Sequence, residues 1–95
     1  MIPILHDALR RHAALYGFHF EATVEMMPVI LDRVADWCDV CSDPGRARAA
    51  LLEAIDAETE HEAVGQLLLA VAIIKDRQAL FADLNEIVRG RHVVC

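Results

Sequence analysis

Apolar side chains recur at intervals of three and four residues along almost the whole chain, and this spacing constrains the fold more than any other feature. Such spacing places side chains on one face of an α-helix, whereas a half-buried strand alternates polar and apolar residues. The chain also contains fifteen alanines, the residue with the highest helix propensity. The pattern therefore predicts an all-α fold, a compact bundle of four to five short antiparallel helices that forms one domain over residues 1–95.

Local signals predict the helix boundaries. We expect a first helix over residues 4–16, closed by Gly17 in a left-handed conformation. A second helix is predicted over residues 21–41, with a kink or break at residues 24–27 because Pro28 lies inside it. Asp43 precedes Pro44 as an N-cap, which predicts that a third helix begins there and extends to about residue 57.

The second half of the chain gives two alternatives. Thr59 followed by Glu62 forms a capping box, which predicts a fourth helix over residues 60–75. The polar sequence KDRQ then shifts the phase of the apolar stripe, and this favours a separate fifth helix over residues 76–89, closed by Gly90. One continuous helix over residues 60–89 is the alternative.

The hydrophobic content exceeds what a short chain can bury. Hydrophobic residues make up 56% of the sequence and the mean hydropathy is +0.32, which indicates association with a partner or with a second copy. The fourth predicted helix is apolar around its whole circumference, and a small bundle covers only about half of such a helix. We therefore predict an interface on this helix, with help from residues 80–88, and a homodimer as the simplest assembly. The predicted interface residues are Val64, Leu67, Leu68, Leu69, Val71, Ile73 and Ile74.

The charge distribution restricts the class of partner. The formal net charge is −6, from fifteen acidic and nine basic residues, which disfavours nucleic-acid binding because phosphate backbones require a basic surface. Eight of the nine basic residues are Arg, which favours protein partners. Acidic pairs at helical spacing, such as Glu58 with Glu62, could bind a divalent ion or a basic partner, and we interpret them as solvated faces.

The sequence predicts neither a membrane-spanning segment nor an export signal. The first residues lack the basic segment and long apolar run of a signal peptide. The longest nearly uncharged run, residues 63–74, is about twelve residues and is too short to cross a bilayer. Three cysteines suit a reducing cytoplasm better than a disulfide framework, so we expect a cytoplasmic protein.

A CxxC pair raises the question of a metal or redox site. Cys38 and Cys41 could combine with His92 and Cys95 into a tetrahedral zinc site with three thiolates and one imidazole. The favoured interpretation is two reduced core cysteines without a cofactor, because Cys38 continues the apolar stripe of the second helix and buried cysteine is common. A thioredoxin-like redox pair is disfavoured because that motif follows a strand.

No motif for catalysis is present in the sequence. It contains one serine, Ser42, and neither a nucleophile elbow, a phosphate-binding loop nor an HExxH sequence. We therefore expect a non-catalytic protein–protein interaction module, such as an adaptor, chaperone, inhibitor or accessory subunit, that acts through an apolar helix face. A zinc-stapled or thiol-sensing regulator that uses the four residues above is the alternative.

Overall fold

Five helices make up the fold. The computed structural model describes the backbone of residues 2–93 and the side chains of residues 2–90. Within that range there is no strand, and the predicted all-α bundle is confirmed. A short 3₁₀ helix at Val24–Met26 immediately precedes α2. The α-helices are α1 Ile2–Ala14, α2 Met27–Asp39, α3 Pro44–Asp56, α4 Glu60–Ile74 and α5 Arg77–Val93.

Helix α4 lies at the centre of the bundle and contacts each of the other four helices. Its closest packing is with α3, to which residues 57–59 join it as a helical hairpin. One contiguous core includes side chains from all five helices, with Leu5, Leu9, Ile30, Leu67 and Phe81 among its fully buried members. In the described part of the chain, every helix is too short or too polar to cross a lipid bilayer.

Three predicted capping residues are confirmed. Gly17 has φ of 82°, and the amides of Gly17 and Phe18 donate to the carbonyls of Ala14 and Ala13 in a Schellman motif. The Asp43 carboxylate accepts a hydrogen bond from the Arg46 amide at 3.4 Å. The Thr59 hydroxyl accepts one from the amide three residues later at 3.2 Å. These bonds satisfy backbone groups that the helices cannot pair internally.

The second predicted helix begins later than expected. Residues 21–23 are not helical, and α2 starts at Met27, with the 3₁₀ turn in the segment where a break was predicted. The reason is Pro28, which occupies the first turn of α2, where its missing amide donor is not needed. The predicted first helix also ends earlier, at Ala14, because the Schellman bonds take over the carbonyls of its last turn.

Residues 60–89 form two helices. Lys75 interrupts them with φ of 70° and ψ of −55°, and the Asp76 amide donates to the Ile74 carbonyl at 2.8 Å in a γ-turn. Asp76 then caps α5, since its carboxylate accepts a hydrogen bond from the Ala79 amide at 3.1 Å. The predicted end at Gly90 is wrong: α5 continues through this glycine to Val93.

Side chains from α1 and α5 hold the long connection between α1 and α2. Buried Asn85 accepts a hydrogen bond from the Glu21 amide at 3.1 Å and donates one to the His19 carbonyl at 3.0 Å. The His6 ring donates to the Ala22 carbonyl at 2.7 Å. Arg89 pairs with the Glu21 carboxylate at 3.0 Å. An irregular segment of this length is therefore fixed at several points.

Candidate interaction surfaces

The two cysteines of the CxxC pair occupy the end of α2. Cys38 is completely buried and belongs to the core cluster, and Cys41 is half-buried. The Cys41 thiol donates to the Cys38 carbonyl at 3.1 Å, as expected one turn along a helix end. Burial raises the pKa of Cys38 to about 11, so its thiolate is scarce at neutral pH. Both features suit packing better than reactivity.

The zinc hypothesis joins these cysteines to the end of the chain. The His92 side chain and the whole of Cys95 lie outside the described residues. Within the part that is described, no three metal-binding side chains converge. The hypothesis therefore stays as the sequence left it, and metal analysis of protein purified without chelator is its test.

The predicted interface residues of α4 lie in two environments. Leu67, Val71 and Ile74 are buried in the core and would become accessible only if the bundle opened. The others are half-buried, and they lie on the two sides of the buried stripe: Val64, Leu68, Leu69 and Ile73. The exposed face of α4 carries small residues such as Gly65 and Ala72. Four helices pack on α4, so it is more enclosed than its apolar circumference indicated.

A groove follows the line between α1 and α4. One section of about 310 Å³ lies beside Ile4, Asp7 and Glu60, and the next, of about 250 Å³, lies beside His12, Leu15 and Leu68. Both sections share the residues Ala8, Arg11 and Val64, so they form one continuous surface. We call this surface the α1–α4 groove. It contains two members of the predicted interface, Val64 and Leu68.

A large apolar side chain projects at one end of the groove. Leu15 follows the last residue of α1 and is 76% exposed. An exposed leucine is unremarkable when it stands alone. Here it adjoins an apolar groove section and the half-buried Leu68, so the exposed apolar surface is continuous rather than scattered.

His12 forms part of the same groove wall. Its ring lies 5.4 Å from the Tyr16 ring and 6.0 Å from the Phe81 ring, and its buried Nε2 atom has no hydrogen-bond partner among the described residues. Burial, together with the charge of Arg77, lowers the pKa of His12 below its ordinary value. Its surroundings therefore favour the neutral imidazole.

A second apolar patch lies between α2 and α5. The Trp37 indole donates to the Asp83 carboxylate at 2.8 Å, and Arg33 approaches the same oxygen at 3.5 Å. Val40 projects beside them and is 79% exposed. The depression that these residues line with Asp36 measures about 320 Å³. The polar groups of this patch already bond to one another, so the patch holds α2 and α5 together.

Sequence reasoning missed the residues that act over long range. The bonds of Asn85 span more than sixty positions of the chain, as does the contact of Arg77 with the Tyr16 hydroxyl at 2.6 Å. Neither residue stands in a motif. The only available signal was that Asn85 falls between Leu84 and Val88 on the apolar stripe of the fifth helix.

Comparisons with protein families, with curated protein sequences and with solved structures find none that matches this chain.

Proposed function

We propose that this protein is a small non-catalytic interaction module of the cytoplasm that pairs with a second copy of itself through the α1–α4 groove. The observation that carries the proposal is the combination of an apolar groove and the projecting side chain of Leu15 on the same face. An apolar side chain that enters a preformed groove is a common mode of helix recognition.

The face is suited to pairing with its own image. It provides both the projecting side chain and the recess, and a twofold axis brings each against the complementary part of the other copy. It also carries both signs of charge, with Asp7 and Glu60 at one end and Arg11 in the middle, and Arg11 pairs with Asp7 within the chain at 2.9 Å. Because this pair is already formed, the groove favours an apolar partner surface, such as that of a second copy, over a strongly charged one.

The apolar area of the groove sets the expected strength. Complete burial of a leucine side chain contributes about 1.5–3 kcal/mol, and a symmetric dimer buries two copies of Leu15. Loss of translational and rotational freedom on association offsets much of this gain. Two leucines alone fall short of the roughly 8 kcal/mol of a micromolar complex, so the other apolar side chains of the groove must contribute as well. We expect a dissociation constant in the micromolar range or weaker, and not an obligate dimer.

Sedimentation equilibrium over a range of micromolar concentrations tests the proposal. The wild-type protein should show an average mass that rises with concentration towards that of a dimer. Leu15→Glu should remain a monomer, because the substitution would place two carboxylates in apolar recesses. Since Leu15 is mostly exposed, the variant should keep the helical circular dichroism of the wild type.

Val40→Glu is the matched control. Val40 is as exposed as Leu15 and also follows the end of a helix, but it lies outside the groove. It should associate like the wild type. A monomeric wild type, or equal loss of association in both variants, would contradict the proposal.

A further inference from the structure

The segment from the end of α3 to the start of α4 concentrates the excess negative charge of the protein. Between Arg48 and Lys75 the sequence contains five acidic residues and neither Lys nor Arg. These five nearly account for the net charge of −6. These five acidic residues and the side chains of Leu52 and Ile55 form a surface that we call the hairpin face. The acidic members are Glu53, Asp56, Glu58, Glu60 and Glu62.

The carboxylates of the hairpin face are not used by the fold. Among the described side chains, all ion pairs involve acidic residues elsewhere, such as Asp7 in α1, Asp39 in α2 and Asp83 in α5. None of the five acids of the hairpin face forms an ion pair with a described side chain. Arg48, one turn before Leu52 on α3, pairs with Asp39 of α2 and not with these acids, so their charge is available to a partner.

Two of these acids also lie where they destabilise their own helix. Glu53 and Asp56 occupy the last turn of α3, near the negative end of the helix dipole, and this turn has no basic residue. Glu60 and Glu62 occupy the first turn of α4, where the dipole favours them. Folding thus accounts for the acids of α4 but not for those of α3.

The same face exposes large apolar side chains. Leu52 is 53% exposed and Ile55 is 39% exposed, one turn apart on α3, although their neighbours Leu51 and Ala54 are buried. Leu52 lines an open depression of about 620 Å³ with four carboxylate side chains and Ala49. The depression therefore joins one large apolar side chain to four carboxylates, and Ile55 lies one turn from Leu52 outside its lining.

We infer that the hairpin face docks a basic amphipathic helix of another protein. Apolar side chains of that helix pack on Leu52 and Ile55, and its Arg or Lys side chains pair with the surrounding carboxylates. The charge repels nucleic acid and anionic lipid surfaces. A second copy fits poorly, because each chain carries a net charge of −6 and would be repelled by the acids of this face.

This inference goes beyond the proposed self-association and uses another side of the molecule. The α1–α4 groove is formed with α1, whereas the hairpin face is formed by α3 and the start of α4. The two surfaces meet at Glu60, which also lines one section of the groove, and Leu52, Glu53 and Asp56, which are varied below, lie outside the groove. A dimer could therefore present two hairpin faces to its partners.

The probe is a synthetic amphipathic helix with Leu on one face and Arg and Lys on the other, and a peptide with Glu in place of the basic residues is its control. Titration into the isotope-labelled protein should shift the NMR signals of Leu52, Ile55 and the acidic residues around them. Binding should weaken as salt is added, because the pairs are exposed. The Glu peptide should leave the spectrum unchanged.

Charge reversal tests the site. The double variant Glu53→Lys with Asp56→Lys should bind the basic peptide at least about ten-fold more weakly, since attraction is replaced by repulsion. The double variant Asp32→Lys with Asp36→Lys is the matched control, because it changes the net charge by the same amount at two exposed acids of α2. It should weaken binding by no more than about two- to three-fold through the net charge alone.

The apolar part is tested by Leu52→Ser, with Val40→Ser as its control. Only the first should weaken binding of the basic peptide. Absence of binding to the wild type, signal shifts centred on Leu15 and Leu68, or equal losses in a variant and its control would overturn the inference. Sedimentation of the same variants separates the two proposals, because changes on the hairpin face should leave self-association intact.

Discussion

The connection between α1 and α2 and the connection between α3 and α4 differ in how other parts of the chain hold them in place. The connection between α1 and α2, residues 15–26, is long and irregular, yet Asn85, His6 and Arg89 bind its backbone and side chains from other helices. The connection between α3 and α4, residues 57–59, is short and has one described side-chain bond, from Thr59. The acids around it form no ion pair with the side chains that the structure describes. The difference separates a connection that long-range bonds hold in place from one whose charged groups add no described ion pair.

Aromatic packing reinforces the first connection. Phe81 of α5 lies beneath it, with its ring 6.4 Å from that of Phe18 and 6.4 Å from that of Phe20. Pairs at these separations stabilise beyond their area of burial. No aromatic residue occurs in α3 or in α4. The hairpin therefore depends on alanine and aliphatic contacts for its packing.

Loss of the central anchor should have the largest effect. Asn85→Ala leaves the Glu21 amide and the His19 carbonyl without their partners in a partly buried place, so the free energy of unfolding should fall by about 2–3 kcal/mol. Urea unfolding followed by circular dichroism measures it. Gln78→Ala removes an exposed amide from the same helix and should change stability by less than about 0.5 kcal/mol. Similar losses in both variants would show that the connection does not depend on Asn85.

The second connection should respond less to the loss of its anchor. Thr59→Ala removes the N-cap of α4, and we expect the free energy of unfolding to fall by about 1 kcal/mol. Ser42→Ala is the control, since Ser42 is exposed and its hydroxyl forms no hydrogen bond among the described side chains. If Thr59→Ala cost as much as Asn85→Ala, the contrast between the connections would fail.

The pH dependence should report the aromatic packing beside the first connection. The pKa of His12 in the folded protein is below its ordinary 6.5, so the unfolded chain takes up a proton first as pH falls. Because of His12, the free energy of unfolding should fall as the pH drops below about 6.5. Above neutral pH, His12 should not change it. His12→Gln should flatten the dependence of the free energy of unfolding on pH between pH 7 and pH 5, measured by urea unfolding. A steeper dependence of stability on pH in His12→Gln would contradict the lowered pKa of His12.

The smallest expected effect has the opposite sign. Asp56→Asn removes a negative charge from the C-terminal end of α3, and the free energy of unfolding should rise by about 0.3–1 kcal/mol at low salt. The gain should shrink in concentrated salt, because the interaction is exposed and screened. Glu60→Gln, at the start of α4, should instead lower stability slightly. A destabilised Asp56→Asn would mean that the fold uses this acid.

The sequence was sufficient where structure depends on near neighbours. Gly17, Asp43 and Thr59 act on backbone groups within five residues, and their predicted roles are confirmed. Asn85 could not be recognised in the same way, because its partners lie far away in the chain. A positive φ usually occurs at glycine, but here it occurs at Lys75. The break between α4 and α5 was therefore visible only as a shift of the apolar stripe.

The surfaces were less predictable than the fold. The apolar circumference of α4 indicated exposure, but packing of four helices around it leaves only its half-buried flanks for a partner. Which flank adjoins a groove depends on how α1 lies beside α4, and no pattern within one helix contains that information. Leu15 and Leu52 were likewise inconspicuous, because exposure of a leucine follows from the arrangement of its neighbours.

Methyl NMR of the wild-type protein through a dilution series tests the central claim most directly. Signals of Leu15, Val64 and Leu68 should move together as the concentration falls through the micromolar range, because these side chains leave the interface between two copies. Signals of Leu52 and Val40, which lie outside the α1–α4 groove, should stay in place. A spectrum that does not change on dilution, or one in which the changes centre on Leu52 and Ile55, would contradict self-association through the α1–α4 groove.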